Sequence, residues 1–216
     1  MKQKKLRVDI ISVIPEVCTP YTDASILGRA KKSRLLEVHV HQLRDFTIDR
    51  QKHVDDKPFG GGPGMVMMVQ PFDAAVKFVK TKNKKARVIL TSAKGKFFTQ
   101  QDAKRLSKYE GLVFLCGRYE GVDERVSELL ADEELSIGPY VVTGGELPAL
   151  VMLDAIIRLR PGVLGDAESL VNESWNDGET VEYPHYTRPA EYKGSKVPAV
   201  LLSGDHKKIA LWRNKK

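Results

Sequence analysis

The sequence predicts an α/β domain built on a mainly parallel sheet. Two features carry that reading. Short, wholly apolar strand-like runs alternate with amphipathic or apolar helical stretches, as in chains whose strands are covered on both faces. The strand-like runs end in glycine-bearing turns, and parallel sheets hold their ligands beyond such carboxyl ends.

The elements follow in order. Val8–Ile14 is the first buried strand; Asp9 interrupts its apolar run and no small-residue cleavage site follows, so the basic start is not a signal peptide. His39 and His41 share one face of a strand, with no carboxylate or thiol at metal-ligand spacing. Arg87–Ser92 (RVILTS) is a β-branched strand. Thr99 starts a helix with Asp102 at capping-box spacing and Ala103 and Leu106 on one face. Gly111–Gly117 (GLVFLCG) is a second apolar strand. Asp123–Leu130 is a helix with Val126, Leu129 and Leu130 inward, and Leu135–Gly138 a brief strand. Glu146–Leu159 is a long apolar helix with Pro148 in its first turn, where a missing N–H costs little. The loops Ser92–Gly95, Gly117–Gly121 and Gly138–Gly145 should then converge on one sheet edge. The stretch 165–187 turns acidic and polar and reads as a mobile linker, followed by a Pro-rich, basic C-terminal portion. The expected division is a domain at 1–164, a linker at 165–187 and a small extension at 188–216.

Composition agrees with one core of good size. The chain has 216 residues, 42% of them hydrophobic, enough to fold without metal or disulfide staples. No apolar run reaches membrane-spanning length. Cys18 and Cys116 lie far apart, which fits a reduced, cytoplasmic setting. The net charge of +7 and a pI near 9.3 suit a polyanionic partner. Lys2, Lys4, Lys5, Lys207, Lys208, Lys215 and Lys216 gather toward the two ends, where solvated tails are the simpler account.

Several chemistries are excluded. There is no GxxxxGK[ST] loop, no GxGxxG between strand and helix, and no GxSxG elbow. Three segments remain. FGGGPGM (Phe59–Met65) gives a backbone able to approach a ligand closely, or a plain surface loop. CGRYEGVDER (Cys116–Arg125) follows an apolar strand; Glu120 can accept from an ammonium and Arg118 can hold a carboxylate. SIGPYVVTGGELPAL (Ser136–Leu150) sets a glycine pair before a helix, with Ile137, Tyr140 and Val142 able to wall a slot for a flat base.

Together with ISVIPEV, RDFTIDRQKHVDDKPFGGGPGMVMMVQP, DEELSIGPYVVTGGELPA, RPGVLG and HYTRP, these segments resemble the bacterial tRNA (guanine-N1)-methyltransferases of the SPOUT superfamily. The resemblance runs in order from the first strand to beyond HYTRP. It implies a SPOUT-type sheet whose C-terminal part threads a trefoil knot, plus a small C-terminal extension. General topological rules alone would not predict a knot. It implies a homodimer with its active sites at the subunit interface, no membrane, and S-adenosylmethionine as methyl donor. By position the donor pocket is Leu90, Thr91, Ser92, Gly117, Tyr119, Glu120, Ile137, Gly138, Pro139, Tyr140, Val141, Val142, Gly144, Gly145 and Pro148. Asp55, Phe59, Gly60, Gly61, Gly62, Pro63 and Gly64 would face tRNA carrying guanosine at position 37. Catalysis would fall to Glu173 as base and Arg158 as partner of guanine O6. Relatives are associated with magnesium, but no ligand cluster in the sequence announces a metal site.

Three departures from the family pattern stand out. Ala93 replaces a common proline, Glu173 replaces an aspartate, and the sequence stops at Lys216, which implies a reduced grip on tRNA. Asp166, Glu168 and Asp177 are the acids that would take over from Glu173 if the alignment had slipped. The alternatives are another SPOUT RNA methyltransferase and a non-catalytic RNA-binding relative.

Overall fold

Leu6–Ser12 forms the first strand, β1, and six of its seven residues are buried. The expected strand ran to Ile14. It stops two residues earlier because the Ser12 hydroxyl accepts the Ile14 N–H at 2.9 Å, which turns the chain out of the ladder. The computed structural model describes residues 4–165 and 173–214. Asp166 and Glu168 lie outside the described residues, as do Lys2, Lys215 and Lys216. The chain divides into two compact units, Met1–Ala167 and Glu168–Lys216.

In the first unit, helices α1 (Cys18–Thr22) and α2 (Ser25–Lys32) lead to β2 (Leu36–Gln42). A two-residue ladder, β3 (Asp55–Asp56) with β4 (Val66–Met67), brackets the FGGGPGM loop. Then come α3 (Val69–Lys82), β5 (Arg87–Phe97), α4 (Gln100–Leu106), β6 (Gly111–Cys116), α5 (Glu124–Leu129), β7 (Glu133–Ser136) and α6 (Glu146–Ile157). The five-stranded sheet has the order β2-β1-β6-β5-β7, and each pairing is parallel. One face buries Cys18, Leu27, Leu106 and the inward side of α6; the other buries Phe72, Val76 and Val79 of α3 with Val126 of α5. Each fully buried Leu, Ile or Phe contributes about 1.5–3 kcal/mol of transfer free energy, so the two-sided core accounts for the apolar runs.

Several boundaries moved for local reasons. β5 continues past Ser92 to Phe97: Thr91 and Lys96 both align with Leu135, so Ser92–Gly95 is an extruded bulge, not a free loop. β7 ends at Ser136, whose hydroxyl accepts the Gly138 N–H at 3.3 Å. The capping box at Thr99 and Asp102 is present. Asp123 caps α5 from outside it. Leu129, expected inward, is 71% exposed, because α5 is short and only Val126 and then Leu130 reach the core. Arg160 of the RPGVLG motif is buried and donates to the carbonyls of Ser107 (2.6 Å), Tyr109 (2.9 Å) and Lys4. It ties the chain after α6 to the starts of β1 and β6.

His39 and His41 do share a face of β2, with ring centroids 6.4 Å apart. Each also has a carboxylate at 2.8 Å: Glu37, two residues before His39 on the same face of β2, and Asp9, which meets His41 from the neighbouring strand. Among the described residues, no group of three or more His, Cys, Asp or Glu is placed to hold a metal ion.

In the second unit, the Asp177 carboxylate accepts the N–H groups of Glu179 (3.0 Å) and Thr180 (2.7 Å) in a turn. A hairpin, β8 (Glu191–Tyr192) with β9 (Ser195–Lys196), turns through Lys193 and Gly194, both at positive φ as a two-residue turn requires. Helices α7 (Ala199–Leu202) and α8 (His206–Arg213) follow, the latter capped by Asp205. Tyr183 and Tyr186 pack on Trp212, and Arg213 lies over the Tyr183 ring. Among the described residues, no helix is long and apolar enough to cross a membrane.

Asp9 generates a test of the sheet's electrostatics. It is fully buried in β1, and burial alone would raise its pKa. Hydrogen bonds from His41, Arg7 and Asn83 outweigh that and hold it at about 2, against 3.8 ordinarily. A depressed folded-state value stabilises above the unfolded one, so this contribution is full above pH 4 and fades as pH falls toward 2. The shift corresponds to about 2 kcal/mol. Asp9→Asn should therefore lower stability at pH 7 by about that amount, with the gap to the parent narrowing below pH 3 in urea titrations. A gap that is independent of pH would contradict the assignment.

Candidate functional site

The site is built where β5, β6 and β7 end side by side. β6 is buried throughout and delivers Gly117 to the sheet edge. Beyond it the chain turns through Tyr119 (φ +58°) and Gly121 (φ +120°). This loop is laced to β4: Glu120 N–H donates to Met65 O at 3.1 Å, Met67 N–H to Gly121 O at 3.0 Å and Asp123 N–H to Met67 O at 2.8 Å. Gly64, at φ +75°, stands directly on Glu120; a Cβ there would come within 2.5 Å of Glu120 Cγ. The FGGGPGM loop thus abuts this loop, while Phe59 at its start is fully exposed.

The segment before α6 makes the tightest approach. Gly145 N–H donates to Gly117 O at 2.9 Å, and the Thr91 hydroxyl reaches Leu115 O (3.1 Å) and Gly145 O (3.3 Å). A Cβ on Gly145 would lie 2.1 Å from Thr91 Oγ1, 2.8 Å from Cys116 Cα and 2.9 Å from Gly117 N. These contacts bring the ends of β5 and β6 and the start of α6 into one wall.

The wall encloses a cavity of about 440 Å³ at the carboxyl edge of the sheet. Of the fifteen residues expected for the donor pocket, thirteen line it: Leu90, Thr91, Ser92, Gly117, Tyr119, Glu120, Ile137, Tyr140, Val141, Val142, Gly144, Gly145 and Pro148. Gly138 and Pro139 do not. Gly138 (φ +156°) serves the turn itself: its carbonyl accepts from Ser136 Oγ and Tyr140 N–H, and the Tyr140 ring covers the space of its missing Cβ. The cavity also takes in Ala93 and Lys94 of the β5 bulge, Arg118, Glu124, Ser127 and Glu134. Ser127 donates to Glu134 at 2.8 Å and Lys94 pairs with Glu124. Polar residues on α5 and β7 gave no sign in the sequence that they would reach this edge.

Arg118 was open to holding a ligand carboxylate. In the structure the carboxylate beside it belongs to the chain: Glu146 Oε2 lies 3.3 Å from Arg118 Nη2. Ser12 Oγ donates to the other oxygen of Glu146 at 2.5 Å. Neither Ser12 nor Glu146 was marked out by sequence. The one available sign was an acid at the head of an otherwise apolar helix. The two thiols beside this network are held in the protonated form: burial, then the Glu146 charge, pushes Cys18 up to about 11 and Cys116 well above its ordinary value.

Asp55, Arg158 and Glu173 are not among the residues that line the cavity. Asp55 is in β3, paired with Met67. Arg158 is the residue that ends α6, its N–H donating to Asp154 O at 3.4 Å. Glu173 belongs to the second unit, where its carbonyl accepts the Asn176 N–H at 3.2 Å.

The family model described as tRNA (Guanine-1)-methyltransferase TrmD matches residues 6–216. The chain belongs to the tRNA (guanine-1)-methyltransferase family. A tRNA (guanine-N(1)-)-methyltransferase of Ruminiclostridium cellulolyticum is 52% identical over 209 residues, which is 96% of this chain and 89% of the relative. Those of Geobacter metallireducens and Clostridioides difficile are 49% and 50% identical, covering 86% and 90% of their own lengths. The crystal structure of tRNA (m1G37) methyltransferase from Aquifex aeolicus superposes with a TM-score of 0.81 at 39% identity, covering 96% of this chain and 87% of that one. In this methyltransferase the parallel sheet and its carboxyl-edge cavity therefore stand on a fold shared with that enzyme.

The close approach at Gly145 sets a test for the methyltransferase wall. Two of the three atoms that an added Cβ would meet are backbone, which cannot step aside. Gly145→Ala should cost about 1–3 kcal/mol through overpacking, read as a lower urea midpoint at unchanged slope. A midpoint equal to the parent's would show that the three segments are not in contact.

Proposed function

We propose that this enzyme transfers the methyl group of S-adenosylmethionine to N1 of guanosine 37 in tRNA, next to the anticodon. The observation that carries the reading is the glycine-cradled cavity at the carboxyl edge of the sheet, in a chain of this family. The cavity suits the donor in size and chemistry. About 440 Å³ falls in the range of small-molecule sites. Leu90, Ile137, Val142 and Pro148 offer apolar walls for a flat base. Gly144 packs on Arg118 and Glu146, and Gly145 on Thr91 and the Cys116–Gly117 backbone, so closely that neither position admits a side chain in this wall. The FGGGPGM loop and Asp55 form the tRNA-facing side in this reading. The trefoil knot and the interfacial active site of the SPOUT architecture belong to the same proposal, as does a cytoplasmic location.

The donor's sulfonium supplies a methyl group already activated for transfer. What the protein must manage is the acceptor, because guanine N1 carries a proton at neutral pH. Glu173 takes that proton as the methyl arrives, and Arg158 stabilises the negative charge that develops on O6. Asp177 is the poorer candidate base, since its carboxylate already accepts two backbone N–H groups in a tight turn. Glu173 is one methylene longer than the family's aspartate and keeps the same chemistry.

Two measurements test this. With labelled donor and unmodified tRNA carrying guanosine at positions 36 and 37, the label should appear on N1 of guanosine 37. Glu173→Gln should slow single-turnover transfer by about 10²–10⁴-fold with little change in donor binding. Amide variants of Asp166, Glu168 and Asp177 serve as controls. Label on a ribose hydroxyl, or none at all, defeats the proposal; a wild-type rate in Glu173→Gln moves the base to another acid.

An active site shared between subunits also requires a dimer. Sedimentation velocity should show a homodimer at the concentrations where activity is measured. A fully active monomer contradicts the shared site.

A further inference from the structure

Glu146 is the first residue of α6 and only 1% of it is exposed. A carboxylate held so far from water needs compensation, because desolvating an ion is costly. Three partners provide it. Ser12 donates to Oε1 at 2.5 Å. Arg118 Nη2 stands 3.3 Å from Oε2. The first turn of α6 adds the partial positive charge of its open N–H groups.

Arg118 itself borders the cavity, and its guanidinium is held across the seam between the loop after β6 and the segment before α6. The packing there is tight. A Cβ on Gly144 would lie 2.5 Å from Glu146 Oε2 and 2.6 Å from Arg118 Nε. The ion pair thus fills the space that any side chain at position 144 would need. Within the described residues, Arg118 Nε and Glu146 Oε2 are buried and make no hydrogen bond, so the charge pairing is what holds them there.

We infer that Glu146 is a positioning residue of the donor pocket that acts through Arg118. Its buried charge pins the guanidinium in the wall, which fixes the Gly117–Arg118 peptide and the Thr143–Gly145 segment against each other. Without that charge, Arg118 is a half-buried cation with no counter-ion at the seam. The nearest open space for it is the cavity, where it takes room from the ligand. The inference rests on the reading of this cavity as the donor site.

The test uses the full chain and calorimetry, with S-adenosylmethionine and S-adenosylhomocysteine as probes. Glu146→Gln keeps the size of the side chain and its contact with Ser12 but removes the charge. It should weaken both probes about tenfold and raise the donor KM by a similar factor, with a smaller effect on kcat. Arg118→Gln should weaken them comparably. The double variant should be no worse than the poorer single one, because both changes remove the same restraint. Unchanged affinity in Glu146→Gln overturns the inference, and so do losses that simply add in the double variant. If Glu146→Gln does not fold, Ser12→Ala decides: a loss of about threefold supports the role, and unchanged affinity overturns it. A wild-type chain that binds neither probe overturns the donor reading and this inference together, whereas a wild type that binds beside an unaffected Glu146→Gln overturns the inference alone.

Discussion

The structure turns on a backbone-to-backbone contact. Gly145 lies against Gly117 and Cys116, with its N–H on Gly117 O and its carbonyl in reach of the Thr91 hydroxyl. No residue with a side chain fits there without displacing main chain. Because that contact exists, three segments far apart in sequence end in one wall, and α6 begins close enough for its first residue to join the network at the end of β1. The cavity is the space these constraints leave, not a depression added to a finished fold.

Parallel pairing does the rest of the positioning. All five strands of the large sheet point their carboxyl ends the same way, so every connection that leaves them emerges on one edge. The strand order places β6, β5 and β7 side by side there. The short β3–β4 ladder then moors the FGGGPGM loop to the turn after β6 through Met65 and Met67. Glu120 both lines the cavity and stands against Gly64, so the glycine loop and the cavity are neighbours.

Much of this was legible from sequence, in proportion to how local the cause was. Apolar runs found β5, β6 and α6, since burial on two faces leaves no other pattern. The capping box at Thr99 was readable because it closes within one helical turn. Glycine spacing pointed to most of the cavity lining, because close approach demands residues without side chains. What escaped depended on distant partners. The Ser12–Glu146 bond joins residues 134 apart. His41 meets Asp9 across a strand pair, and no linear spacing rule sees that. The continuation of β5 runs through Ser-Ala-Lys-Gly-Lys, where neither alternation nor apolarity marks a strand. Gly138 is absent from the lining and lets the chain turn under Tyr140, a fit between a glycine and a ring that glycine spacing alone does not reveal. Leu129 was assigned to the core by helical period, but a helix of two turns has little room to honour a period.

The bulge in β5 has a consequence for how this wall can vary among related chains. It is closed on both sides by pairing with β7, at Thr91 and again at Lys96. The residues between those two pairings are extruded, so the register on either side does not depend on how many there are. Gly95 is the exception, because a Cβ there would lie 2.7 Å from the backbone of Glu134 and of Leu135. Variation on this side of the cavity therefore falls on positions 92 to 94, while the glycine that brings the chain back to β7 stays fixed.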